Sequence, residues 1–523
     1  MKRVPTPLLV GMLVVAGIVS VHAYQSHYGP SGLLYYDETK SYGGYTLFTT
    51  QRTGPAPDFK HNATYLIDME GNVINTWPMP KYGYTIEKHA HFLDNGNLLR
   101  RISNSTWEHG WEESWPGTDP AASPTDVARL QELDWDGNVV YEIADTRPGY
   151  THHHDFVKIW NRKLQAYTIL SVASKDITHE QAIALGADPR KRDDYTSRPD
   201  GVVEFDLNGN VLWEWNISDH LVQDIDPTKA NYGVVQDHPE KLDVNFGAGR
   251  RGDWIHTNSI DYNETLGQVV VNNSSNSEFY VIDHQGTFIP GDPAGSIAMA
   301  AGDAGDFLFR WGNPTVSDAG EGMSYTEEGG ASDGDQQVFF SHDVQWIRPT
   351  AYAEGPALPG AGHLLIFDNG TRHLGTGYAY SALLEIDPYD GPMEAGVYVP
   401  QGEAGYRNIR VYIGARRTSN QVVWFYASKD PASFWSRRIS GLMRLPNGNT
   451  LATEGSWGQI IELTPDNEIV WEYKLPIVVN EGPKKILKDG DITSAFLAYR
   501  YSPDHPALRG RDLTPKGLLT NQD

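Results

Sequence analysis

Four histidines, His91, His154, His256 and His342, stand where apolar-rich strand patterns open, and Ser440 opens another such pattern. Neutral imidazole has two uses when several rings meet. It can ligate a transition metal, or it can supply a nucleophile and an acid/base partner with no metal at all. The stretch Phe340-Ser-His-Asp-Val-Gln-Trp-Ile347 shows the local arrangement. After a Gly/Pro-rich gap it is followed by His363-Leu-Leu-Ile-Phe-Asp-Asn-Gly370. Together they read as a strand opened by a His-Asp pair, a long turn, and a second strand ending in Asp-Asn-Gly. A single histidine at such a place is as well explained by an ordinary turn polar or a satisfied core residue. Histidines at matching points of successive repeats converge on one site.

The elements that would bring them together recur along the chain. Each unit adds a hairpin of the form Asp-x-x-Gly-x-hydrophobic-x-Trp. The first unit covers Gly44–Trp77, and the second opens at His89–Leu99 and closes at Leu130–Tyr141. The third opens at His152–Ile159 and closes at Gly201–Trp215, with an insertion over 172–200 whose Thr178–Leu185 portion reads as a short helix. The fourth takes in Trp254–Ile260, Gln268–Asn273, Glu278–Asp283 and Phe307–Pro314. The fifth is His342–Gly370 with Ser381–Asp387 and Gln421–Tyr426, and the sixth is Ser440–Leu451 with Gln459–Tyr473. No unit can bury both faces of its own sheet, so neighbours must stack radially. The pattern predicts an all-β fold: a six-bladed β-propeller over 43–475. An extended lead-in over 24–42 precedes it. A tail over 476–523 packs on the propeller and is irregular apart from a short helical patch near Ile492–Tyr499.

Composition agrees. The chain has 52 Gly, 32 Pro, 28 Tyr and 15 Trp, a mix suited to many short strands and turns rather than long helices. A formal net charge of −25 argues against nucleic acid and anionic membrane surfaces as partners. Cysteine is absent, which excludes disulfides, thiolate metal sites and a lipid-bearing cysteine. Residues 1–23 carry Lys2 and Arg3, an apolar run from Leu8 to Val21, and a small-residue ending at Ala23. This is the pattern of a secretory signal peptide, or of an anchor if it stays uncleaved. A periplasmic or secreted location follows, with no membrane association once the segment is removed.

Several motifs carry a family resemblance: Phe309-Arg-Trp-Gly-Asn-Pro314, His342-Asp-Val-Gln-Trp346, Phe367-Asp-Asn-Gly370 and Leu445-Pro-Asn-Gly-Asn-Thr-Leu451. His153-His-Asp155 and His256-Thr-Asn258 join them. Together they resemble the bacterial arylsulfate sulfotransferase family, over most of the chain beyond the lead-in. The resemblance implies an exported six-bladed propeller that moves a sulfuryl group from a phenolic sulfate ester to a phenol, with no cofactor. It implies that His342 is transiently sulfated, and that His154, His256 and Asn258 bind sulfuryl oxygens and assist proton transfer. His91 and Ser440 are further candidate substrate-binding residues. The family's arginine after the His-x-Asn motif is replaced here by Ser274, so a cation for the sulfate must come from another loop. Arg372, Arg416, Arg417, Arg437 and Arg438 are the candidates. Two other readings stay open on the sequence: a metal held by His91, His154, His256 and His342, or a non-catalytic exported propeller used for binding or assembly. A homo-oligomer also stays open.

Overall fold

A computed structural model describes residues 28–521 apart from 51–60, 79–84, 104–127, 191–196, 248–252, 323, 326–330, 333, 371–378, 389–392, 395–396, 399–409, 414–415, 420, 431–432 and 479–480. Six antiparallel sheets follow one another along the chain, five of four strands and one of five. Their inner strands are Ala495–Tyr501, Thr85–Phe92, Tyr150–Asn161, Thr257–Asn263, His342–Trp346 and Gly441–Arg444, belonging to the first through sixth blades. Each inner strand lies against the next, and the sixth lies against the first, so the ring is closed. The protein is a six-bladed β-propeller. Among the described residues no helix is long and apolar enough to cross a membrane.

The recurring hairpin has a physical basis that repeats with it. In the turns at Asp68, Asp134 and Asp206 the carboxylate accepts backbone N–H groups two and four residues ahead, and the side-chain amide of the following asparagine. The intervening Gly71, Gly137 and Gly209 adopt positive φ of 87°, 85° and 85°, which a side chain resists. A tryptophan on the fourth strand of four of the blades tethers one blade to the next. Trp77 Nε1 donates to the Asp134 carbonyl in the second blade, and Trp471 Nε1 donates to the Met69 carbonyl in the first. Trp213 Nε1 reaches Thr287 Oγ1 beside the fourth blade, and Trp424 Nε1 reaches the Pro465 carbonyl in the sixth. Six hydrophobic clusters fill the six seams between neighbouring blades. Burial of large side chains there, at roughly 1.5–3 kcal/mol each, is what holds the ring.

Two expectations about the ends of the propeller change. The short helical patch near Ile492–Tyr499 is instead the strand Ala495–Tyr501, which pairs with Tyr45–Thr50 and supplies the innermost strand of the first blade. Ala495, Leu497 and Ala498 favour a helix locally, but the ladder offered by an otherwise unpaired strand overrides that preference. The lead-in contributes Gly32–Tyr36, a fifth, outer strand of the last blade. Both ends of the chain therefore latch the ring shut. The short helix forms as predicted, His179–Ala184, with Thr178 in a capping box. The signal-peptide pattern lies outside the described residues.

Candidate active site

Register defines the ring of residues at the propeller mouth. The residues Arg500, Phe92, Lys158, Tyr262, Trp346 and Arg444 face equivalent positions of their second strands. Counting four residues back along each inner strand gives Phe496, Lys88, His154, Asn258, His342 and Ser440. His154, His342 and Ser440 are thus equivalent, as the sequence pattern indicated. His256 is not: it precedes the equivalent Asn258 by two residues. His91 lies three residues beyond the ring position of its blade. Its ring packs deeper, 5.6 Å from Phe156 and 6.0 Å from Tyr499.

His342 is 2% exposed and held on both ring nitrogens. Nδ1 lies 2.7 Å from Asn369 Oδ1. The Asn369 amide donates to the Ser436 and Ile439 carbonyls at 2.9 Å, so its oxygen must face the histidine. An amide oxygen only accepts, hence Nδ1 carries the proton and Nε2 the lone pair. The Ile439 N–H donates to that lone pair at 3.1 Å. Phe340 and Phe496 flank the ring, each with its centroid 5.7 Å away.

A second group of histidines faces it from the third and fourth blades. The His154 ring meets the His256 ring edge-on at 4.9 Å, and Phe496 lies 6.2 Å from His154. Phe340 stacks beside His256 at 6.4 Å, so two phenylalanines join the two groups. His256 Nδ1 lies 2.6 Å from Asp253 Oδ2. Burial opposes charge on both members, but each overcomes it for the other: His256 is held above its ordinary value and Asp253 below. His154 Nδ1 lies 2.8 Å from His153 Nδ1, and His153 Nε2 lies 3.1 Å from Asp200 Oδ1.

Backbone strain concentrates at this mouth. Eleven described non-glycine residues have positive φ, and six of them belong to it: His154, His256, Phe340, Asp343, Ile439 and Ser440. For Ile439, a β-branched residue at φ 51°, this is a pronounced outlier. Such conformations cost about 1–3 kcal/mol each and persist only where surrounding contacts enforce them. Here the enforcing contacts are a knot of serines. The Ser436 and Ser456 hydroxyls donate to the Arg438 carbonyl at 2.7 and 3.1 Å, and the Ser440 hydroxyl donates to Ser436 Oγ at 2.7 Å. The knot fixes the turn that aims the Ile439 N–H at His342.

The remaining predicted residues are placed as follows. Asn258 is fully buried; its amide donates to the Ser341 carbonyl at 2.9 Å and its oxygen accepts from Asn272 at 2.7 Å, which anchors the residue before His342. Ser440 Oγ is engaged in the serine knot and accepts the Gly455 N–H. Ser274 is buried, and its hydroxyl has no hydrogen-bond partner among the described residues. Arg372 lies outside the described residues. Arg437 and Arg438 sit on the turn that reaches His342, and burial, with Arg437 next, holds the Arg438 guanidinium below its ordinary value. Sequence reasoning gave no role to Asn369, Asp253, Asp200, His153, Ile439 or Phe496. The Asp-Asn-Gly at the strand end was the visible signal for Asn369. Among the described residues no group of three or more His, Asp or Glu side chains is arranged to hold a metal ion.

A closed six-bladed propeller with histidines gathered on strained strand openings defines the class of molecule. The arylsulfotransferase (ASST) family model matches residues 36–475, most of the chain, and the protein belongs to that family. It is an aryl sulfotransferase, acting on small-molecule substrates. No curated protein matches it in sequence. Three solved structures are similar over their whole length but distantly. A protein of unknown function from Bacteroides caccae is 11% identical, with 87% of this chain and 98% of that chain covered at a TM-score of 0.38. A luciferin-regenerating enzyme is 7% identical, with 90% and 100% covered at 0.30. A putative 6-phosphogluconolactonase from Bacteroides fragilis NCTC 9343 is 9% identical, with 89% and 100% covered at 0.33. At TM-scores this low none of the three bears on the site.

Proposed function

We propose that the protein transfers the sulfuryl group through a covalent sulfohistidine at His342, in two displacements. His342 Nε2 attacks sulfur, the S–O bond to the aryl oxygen breaks, and the phenol leaves. The acceptor phenol then attacks sulfur and the N–S bond breaks. The observation that carries this reading is the tautomer of His342: a neutral ring, with its proton committed to Asn369 and its lone pair on the nitrogen that must react. Asn369 is uncharged, so it orients the ring without favouring the imidazolium, which could not attack.

Negative charge on the sulfuryl oxygens needs fixed donors. The Asp253-backed His256 supplies one, and the Ile439 N–H supplies another by passing from Nε2 to a sulfuryl oxygen as sulfur approaches, which frees the Nε2 lone pair to attack. Arg437 and Arg438 bring cationic charge to the same turn, in place of an arginine at Ser274. Phe340 and Phe496 offer apolar faces for an aryl ring. The signal-like pattern over 1–23 supports a periplasmic or secreted enzyme, and sequencing the amino terminus of the extracytoplasmic protein tests it. A double-displacement mechanism predicts parallel lines in double-reciprocal plots of 4-nitrophenyl sulfate at several phenol concentrations. Intersecting lines would point to direct transfer within a ternary complex.

A further inference from the structure

We propose that Asp200 and His153 form a hydrogen-bond relay that fixes the tautomer of His154 and makes His154 Nε2 the group that exchanges a proton with the phenol oxygen. This rests on the two-displacement reading above. Two ring nitrogens 2.8 Å apart must share one proton, since two lone pairs or two N–H groups would repel. The Asp200 carboxylate decides which ring gives it. Asp200 Oδ2 already accepts the Thr257 N–H at 2.6 Å, and Oδ1 faces His153 Nε2 at 3.1 Å. A carboxylate only accepts, so His153 carries its proton on Nε2. Neutral His153 then presents a lone pair at Nδ1 and accepts a hydrogen bond from the His154 Nδ1–H. His154 is left with Nε2 as the nitrogen that can gain and lose a proton.

The proton count closes over a full turnover. In the first displacement His154 begins as imidazolium and gives its Nε2 proton to the departing aryl oxygen, while Asp200, through His153, stabilises the charge. In the second displacement neutral His154 takes the proton of the acceptor phenol as that oxygen attacks sulfur. One proton passes from acceptor to leaving phenol, and the relay returns to its starting state. His256 has a different task, because the Asp253 carboxylate sits directly on its Nδ1, with Asp200 adding to the same field, and favours its charged form. His153 and Asp200 are positioning residues; neither touches substrate.

Asp200→Asn tests this with little change of shape. The asparagine oxygen still accepts the Thr257 N–H, so a purely structural role of Asp200 survives. Its amide nitrogen, however, now donates to His153 Nε2. That forces the proton onto His153 Nδ1, from there toward His154 Nδ1, and locks His154 with a fixed Nε2 proton. General acid–base help is worth about 10²–10⁴-fold where the leaving group needs it. We expect Asp200→Asn and His153→Ala to lower kcat/KM for phenyl sulfate by about 100-fold or more, and for 4-nitrophenyl sulfate, whose phenolate leaves unprotonated, by less than about 10-fold. Thermal melts confirm that both variants are folded. Equal losses on the two esters, or no loss on either, would overturn the relay alone. Wild-type protein that transfers from neither ester would overturn the two-displacement reading and the relay with it.

Discussion

Two histidines across one small mouth are backed in opposite ways. His342 gives its Nδ1 proton to the neutral oxygen of Asn369, whereas His256 meets the carboxylate of Asp253 at nearly the same distance. An amide orients a ring without favouring its charged form; a carboxylate orients it and favours the cation. In the mechanism proposed above the difference divides the work: attack on sulfur falls to the fifth-blade histidine, and charge on the sulfuryl oxygens to the fourth-blade one. Pairing with a carboxylate does not by itself mark a functional histidine. His284 and Glu204 form such a pair with both side chains fully buried between the third and fourth blades, and it serves packing. Backbone strain marks the mouth and not this pair: positive φ occurs at His154 and His256, and at Phe340 and Asp343 on either side of His342, but not at His284.

The comparison can be broken most severely at His342, the proposed nucleophile. His342→Ala should lower kcat by on the order of 10⁴-fold or more, with the fold retained by circular dichroism. Asp253→Asn should lower kcat/KM at neutral pH by about 10–100-fold, the worth of a hydrogen bond to a charged group. Asn369→Asp makes His342 resemble His256. The carboxylate raises the His342 pKa, so the rate at neutral pH should drop about tenfold for each unit of that rise. Raising the pH should restore it, and a rate–pH profile measures both.

Stability offers a finer test of the Asp253–His256 pair. His256 is held above its ordinary value, so its contribution is complete below about pH 6.5 and is lost as pH rises through the folded-state value. Asp253 is held below its own, so its contribution is complete above about pH 3.9 and is lost as pH falls through the folded-state value. The gap in denaturation midpoint between wild type and Asp253→Asn should be widest between about pH 4 and 6.5 and narrow on both sides. The smallest effect is expected from Ser456→Ala, which removes one strand of the serine knot. A loss of about 1 kcal/mol in stability and a few-fold loss in rate would fit one hydrogen bond.

Much of this architecture was legible in the chain. The Asp-x-x-Gly turns and their tryptophans mark the blades because each turn is satisfied locally, by an aspartate two to four residues away. The closing strand Ala495–Tyr501 was not, because the partner that makes it a strand lies at the other end of the sequence. His154, His256 and His342 were legible as a set, and their exact alignment was not. Bulges interrupt the inner strands at the mouth, between His152 and Phe156, Thr257 and Ile260, His342 and Gln345, and Glu87 and Ala90. Counting from a motif therefore slips by two or three residues, which is how His256 took the place of Asn258 and His91 joined a ring it does not belong to. Asn369, the serine knot and the Ile439 N–H come from segments far from His342 in sequence, so only the folded ring brings them to it.

The central claim is that His342 carries the sulfuryl group. Intact mass of protein mixed with 4-nitrophenyl sulfate and no acceptor, followed by peptide mapping under conditions that spare N–S bonds, tests it directly. The account predicts one sulfuryl adduct, on His342, absent from His342→Ala and discharged when phenol is added. Release of 4-nitrophenol at full rate only when acceptor is present, with the protein mass unchanged throughout, would contradict it.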